Sequence, residues 1–412
     1  MNARSRVGAM WAIDSDAPSH MVSTRRLTIL FIGMGGTAAV IPALLPALAA
    51  QFGAAIDAVL PAVPALFTGL VLGIVAGGWL GRRADRTALV SIASGAQAAG
   101  LLVIGAAPGP MVLVIGAAIS GAGFGLAEVV GTASARQAAE SGSPRLLTRL
   151  MAALAAGAMV SPVVVLVATE AGWPGAAAIV VALAHLGSVR LGRTTPTADP
   201  HPESAEPVDM PTIVTLSEPT PRGRLALLAG AVFCYVGAET ILSGWSAAAV
   251  VTTTSASAGI AALGTSVFWL LMVVGRLLGA RILTRPGTTL PLLVIASIVQ
   301  LSALLIAGGL SGQGGTPVLL VLAIAVLAAA PCYGILLGLI VDQVDAERAA
   351  PLASAVITLG AVGGAVLPAI ASLAGVASTY TVAAGAAAGV AALSIAFAIG
   401  NARTADRKES RR

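Results

Sequence analysis

Long apolar runs alternate with short polar turns along almost the whole chain, and the runs have the length, about 20 residues, that a helix needs to cross the hydrocarbon of a bilayer. They fall at about 27 to 50, 59 to 80, 88 to 107, 110 to 134, 147 to 169 and 172 to 190. A second set falls at about 225 to 250, 259 to 282, 288 to 309, 316 to 341, 350 to 374 and 377 to 400. Between the sets lies GRTTPTADPHPESAEPVDMPTIVTLSEPTPRGR, rich in Pro, Thr and acids, which reads as a linker because it cannot bury enough apolar area to order itself. The pattern predicts an all-α polytopic membrane protein with twelve transmembrane helices in two six-helix bundles. Its divisions are a tail at 1–24, a first bundle at 25–191, the linker at 192–224, a second bundle at 225–401 and a tail at 402–412. No alternating segments of the kind that build a β-barrel occur.

Composition strengthens this picture. Of the 412 residues 57% are hydrophobic and only 10% charged, and the mean hydropathy is +0.94, whereas a soluble domain carries roughly 25% charged residues. The 48 glycines would weaken a soluble helix but let membrane helices approach closely. Cys234 and Cys332 both lie in apolar runs, so neither a disulfide framework nor a zinc cluster is expected.

Charge fixes the expected orientation. All 23 basic residues fall in the terminal tails, in the turns after every even-numbered span, or at the span ends beside them, as Arg82, Arg83 and Arg86 do after the second. None falls in the opposite turns, so both termini are expected in the cytoplasm and the protein in the plasma (inner) membrane. Arg25 and Arg26 ahead of an apolar stretch ending in PALAAQ have the look of a signal peptide. That stretch exceeds the usual h-region of about 7 to 15 residues, and cleavage would leave an odd number of spans. Met21 is a candidate start in place of Met1.

The two halves echo one another. GGWLGRRADRTALV at the end of the second span parallels GRLLGARILTRPGTTL in the eighth, and GAMVSP in the fifth parallels GGAVLP in the eleventh. Parallel six-span repeats with a cytoplasmic connector resemble the major facilitator superfamily, in which the substrate lies between the halves near the midplane. Gly81, Asp85 and Arg86 resemble part of that superfamily's signature after span 2, with Thr87, Ala88 and Leu89 departing from it. FCYVGAETILSGW in span 7 and GAGFGLAEVVGTASA in span 4 resemble the fucose permease branch, although Thr132 stands where that branch has Asn and span 1 lacks its Asp. The resemblance implies a proton-coupled transporter of a sugar-like solute, with gating at Asp85 and Arg86; Arg276, in the cytoplasmic part of span 8, is a candidate gate partner for an acid, the alternative being an arginine that snorkels. The alternative for Asp85 and Arg86 is a basic anchor with an incidental acid.

Among the acids, Glu128 and Glu239 alone lie deep in apolar spans, where a carboxylate costs about 2.5 to 3.5 kcal/mol. Glu128 shares a helix face with Gly121, Gly125 and Thr132. It is the candidate proton-coupling group, the alternative being a protonated acid that joins helices by hydrogen bonding. Glu239, with Tyr235 one turn before and Ser243 one turn after, forms a polar stripe and is a candidate substrate ligand or second titrating group. Phe124, Trp245, Phe268 and Trp269 are candidate stacking walls, with packing as the alternative. Gln97 and Gln300 hold comparable places in spans 3 and 9 and are candidates for the cavity or for interhelical bonding; no role is assigned to His185.

No nucleotide-binding loop, metal-binding motif or nucleophile elbow occurs, so neither a cofactor nor an enzymatic activity is expected. The basic balance reflects the cytoplasmic arginines and not a nucleic-acid face. The expected partners are a small-molecule substrate, protons and the bilayer. Two other readings are a proton-driven efflux pump for a drug or natural product and, in another class, a non-transporting sensor or scaffold.

Overall fold

The computed structural model describes residues 22–81, 84–138, 144–193, 222–310, 315–343, 346–375 and 378–409. Residues 1–21 of the expected tail, with Met1 and Met21, and residues 194–221 of the expected linker lie outside these segments, as do Arg82 and Arg83. In the first half the helices are α1 (Thr24–Phe52), α2 (Ala62–Leu80), α3 (Arg86–Gly105), α4 (Pro110–Ala138), α5 (Pro144–Glu170) and α6 (Ala176–Arg193). In the second they are α7 (Arg222–Gly244), α8 (Ser246–Thr253), α9 (Ala258–Leu283), α10 (Thr289–Leu310), α11 (Thr316–Ala329), α12 (Cys332–Val341), α13 (Ala346–Ala374) and α14 (Thr379–Glu409).

Among the described residues 11 stretches are long and apolar enough to cross a membrane, and Ala176–Arg190, at the place of the sixth expected span, is a shorter apolar helix. The protein is a multi-pass membrane protein, and the spans follow the expected order with local differences. The sixth begins at Ala176 rather than near 172, because Trp173, Pro174 and Gly175 form a turn. The seventh is broken after Gly244 and the tenth at Pro331, which has no N–H to donate to the turn before it. The last helix continues beyond 400 to Glu409 through a polar stretch free of Pro and Gly.

Close helix contacts at glycine reveal the repeat. A Cβ on Gly157 of α5 would overlap the Ile32 carbonyl of α1, and one on Gly363 of α13 would overlap the Phe233 carbonyl of α7. These two glycines open the GAMVSP and GGAVLP echoes, so spans 1 and 5 pack as spans 7 and 11 do. Spans 2 and 4 meet at Gly69 and Gly73 of α2 against the Ala118 and Ala122 carbonyls, and at Gly121 and Gly125 of α4 against the Leu66 and Leu70 carbonyls. Their counterparts, spans 8 and 10, meet at Gly275 and Gly279 against Leu327, Ala330 and Pro331. Without a hydrophobic drive between helices in lipid, such backbone contacts are how the bundle gains packing energy.

The cores show how the halves join. One large cluster draws on both, including Leu44, Leu45 and Leu48 from α1 and Ile241, Leu242, Trp245 and Ala248 from α7 and α8, at the end away from the arginine-bearing turns. Toward the arginine-bearing end there are two separate clusters. One, around Leu27, Phe31 and Val90, is confined to the first half; the other, around Leu228, Tyr235 and Leu336, is confined to the second. The halves therefore share their large core at one end, and a small cluster of Leu70 and Ile74 of α2 with Ala361 of α13 joins them again toward the other.

Candidate functional site

The glycine seam carries α4 tightly against α2 as far as Gly125. One turn beyond it Glu128 reaches the wall of a cavity of about 260 Å³ between the halves. Phe124, four residues earlier on the same helix face, lines it as well. The hydroxyl of Thr132 donates to the Glu128 main-chain carbonyl, a bond within the helix that leaves the carboxylate uninvolved.

From the second half, α7 contributes Glu239, Thr240 and Ser243, α9 contributes Trp269 and Arg276, and α12 contributes Tyr333. Arg276 Nη2 lies 3.5 Å from Glu239 Oε1. The Ser243 hydroxyl donates to the Thr240 carbonyl at 3.2 Å, so its proton is already engaged. The repeat register sets Ala38 of α1 opposite Glu239 of α7, each six residues after the carbonyl that the seam glycine meets, and both line the cavity. The cavity is thus asymmetric, with a carboxylate where the second half has Glu239 and a methyl group where the first half has Ala38.

Other expected site residues lie elsewhere. Tyr235 is fully buried behind the wall, with its ring centroid 5.8 Å from that of Tyr333. Trp245 and Phe268 line a separate, apolar cavity of about 300 Å³ within the second half, with Leu263, Leu322 and Tyr380. Trp245, whose main-chain N–H still donates to the Ile241 carbonyl at 2.9 Å, lies two residues and so about 200° round the helix from Ser243, on the face that Ile241 presents to the separate cavity. Gln97 and Gln300 are buried among the helices of their own halves, off the cavity wall, and among the described residues both amide atoms of each lack a hydrogen-bond partner. Asp85 caps α3, its carboxylate accepting from the Ala88 N–H at 2.9 Å. Arg86 begins the same helix, and both lie at the arginine-bearing end away from the cavity.

Several residues escape a reading by apolar runs. Tyr333 and Phe67 line the cavity without any charge or motif to mark them, and Thr240 does so from within the span 7 motif beside Glu239. At the opposite end Glu170 of α5 meets the start of α9 across the interface, with Ser257 Oγ 3.5 Å from Glu170 Oε1. An acid at the end of a span that faces the arginine-free turns is the signal that could have singled it out. The interface is further held by the Ser266 hydroxyl of α9, which donates to the Met159 carbonyl of α5 at 3.0 Å.

Comparison with solved structures returns transporters of this architecture. The nucleoside transporter NupG matches with a TM-score of 0.65 at 15% identity over 91% of this chain and 98% of that one. A D-xylose-proton symporter matches with a TM-score of 0.67 at 17% identity over 90% and 95%. The E. coli fucose:proton symporter FucP matches with a TM-score of 0.56 at 16% identity over 92% and 99%. At these identities the likeness establishes the fold. No curated protein matches by sequence. The family model described as Major Facilitator Superfamily matches residues 27–368, and with its two-fold repeat of six spans the chain belongs to that superfamily.

Proposed function

We propose that the chain is a secondary active transporter that moves a small organic solute across the plasma membrane by alternating access, coupled to protons, with both termini cytoplasmic. The supporting observation is the cavity between the halves, which has Glu128 on one wall and Glu239 with Arg276 on the other. The large shared core packs the halves together at the end away from the arginine-bearing turns. A rocking of one half against the other about this cavity would expose it to the two sides in turn. In this reading Glu128 takes up and releases the coupling proton. Glu239 and Arg276 answer the occupancy of the cavity, and Phe124 and Trp269 wall the solute. The sidedness follows from the arginine distribution.

The test is uptake by proteoliposomes under an imposed pH gradient. Sugar-like solutes lead the panel, since the neighbours in fold are named for a nucleoside, xylose and fucose; drug-like molecules form the second arm. A solute accumulated only with the gradient, and no longer accumulated by Glu128→Gln, supports the reading. Uptake that does not depend on the gradient would refute the proton coupling, and no uptake of any solute would leave a sensor or scaffold as the better account.

A further inference from the structure

The first half's share of the cavity wall is chemically simple: Ala38, Pro42, Val63, Leu66, Leu70 and Leu154 are aliphatic, Phe67 and Phe124 are aromatic, and Glu128 is the sole polar side chain. Among the described residues no cation pairs with the Glu128 carboxylate. The one arginine on the wall, Arg276, is paired with Glu239. The remaining hydroxyls all lie on the second half's wall, Thr240, Tyr333 and Ser243, the last with its proton used within α7, and the amides of Gln97 and Gln300 lie off the wall. A polyol needs several directional partners, and each hydroxyl left unmatched in a site of low dielectric weakens binding. A carboxylate in an apolar, aromatic setting calls for the opposite kind of ligand.

We propose that the central cavity takes a lipophilic organic monocation, with Glu128 as its counter-charge and the faces of Phe67, Phe124 and Trp269 around its rings. The inference rests on the transport reading above and names the substrate class of that same site. Aromatic faces attract cations as well as covering apolar surface, and a ligand of this class leaves no polar group of its own unpaired. The cavity, about 260 Å³, is near the small end of ligand pockets, which suits one or two rings. The Glu128 carboxylate holds either a proton or the cation, so the two compete and cation binding weakens as pH falls. The other titratable groups on the wall are Glu239, Arg276 and Tyr333. The Glu239→Gln variant therefore serves as the control that assigns the competition to Glu128.

The test uses the purified full-length protein in lipid nanodiscs with 1-methyl-4-phenylpyridinium as the probe. Its uncharged analogue 4-phenylpyridine at alkaline pH, D-xylose and uridine are titrated in parallel. Saturable binding of the cation alone is expected, weakened at least about tenfold by Glu128→Gln and only a few-fold by Glu128→Asp. Equal binding of the charged and uncharged probes, or unchanged cation binding by Glu128→Gln, overturns the proposal. If the Gln variant does not fold, the comparison of charged with uncharged probe and the Asp variant decide. Gradient-driven uptake of D-xylose or uridine without binding of the cation would refute the substrate class and leave the transport reading standing. Cation binding that depends on Glu128, with no gradient-driven movement of any solute, would do the reverse.

Discussion

Arg276 and Glu239 approach to 3.5 Å from helices α9 and α7, which makes them a charge pair on one wall of the central cavity, with Arg276 49% exposed and Glu239 20%. Partial exposure screens such a pair, so its coupling should be modest, on the order of 0.5–1 kcal/mol. A double-mutant cycle of Glu239→Gln and Arg276→Gln on unfolding in detergent should return a favourable coupling of that size. Additive single effects would mean that the two charges act independently.

The α2–α4 seam predicts a sharp contrast between glycines. Gly125→Val would drive a side chain into the Leu70 backbone, which cannot yield as a flexible side chain would. A loss of about 2–3 kcal/mol or more is expected, together with loss of the cavity wall that depends on the seam. Gly95→Ala of α3 meets nothing within 4 Å and gains helix propensity, so it should be neutral or stabilising by up to about 1 kcal/mol. Thermal unfolding of the two purified variants distinguishes these outcomes.

How much of this could be read from the sequence depends on the kind of signal. Apolar length carries the spans, because crossing a bilayer requires it of every helix. The Gly-to-Pro echoes carry the repeat, because a backbone contact permits only glycine at Gly157 and Gly363. Buried acids point to Glu128 and Glu239, since apolar surroundings make a carboxylate conspicuous. Proximity in sequence is a poor guide to the face of a helix, and Trp245 shows the consequence. Two residues after Ser243 it falls about 200° round the helix and faces another cavity beside Ile241. Tyr333 and Phe67 give no sign in the sequence that they face the cavity and not a neighbouring helix. Gln97 and Gln300 occupy matched spans, yet matched position in a repeat does not decide which face of a helix lines the cavity.

The contact between Glu170 and Ser257 lies where the halves share their core, and it predicts a latch. Ser257 caps α9 by accepting from the Ile260 N–H at 3.3 Å, which sets the Glu170 carboxylate at the positive end of that helix. A Cβ on Gly259 would come within 2.7 Å of Glu170 Oε1. Gly259→Ala or Glu170→Gln should loosen this end by about 1 kcal/mol, a roughly fivefold shift in population. Spin labels at Ala171 and Ala256 should report a larger fraction of long distances in both variants. An unchanged distance distribution would remove Glu170 from the closure.

The adjacent arginines that open the first span predict opposite outcomes for one kind of change. Arg25 is exposed, while Arg26 is 2% exposed. Arg26 Nε donates to the Ser188 carbonyl of α6 at 3.0 Å, and Nη2 donates to the Thr87 carbonyl at 3.1 Å and the Ser91 hydroxyl at 2.5 Å, both in α3. One guanidinium therefore ties α1 to α3 and α6 at the arginine-bearing end, which a count of basic residues per turn treats as a mere anchor. A lysine keeps the charge but cannot present two donor directions in a fixed fork. Arg26→Lys should therefore destabilise the first half by about 1–3 kcal/mol, and Arg26→Met by more, since lysine keeps one cationic donor for this junction and methionine keeps none. Arg25→Lys and Arg25→Met should fall within about 0.5 kcal/mol of the parent. Melting temperatures of the four variants in one detergent check the ordering, and equal effects at the two positions would contradict the tie.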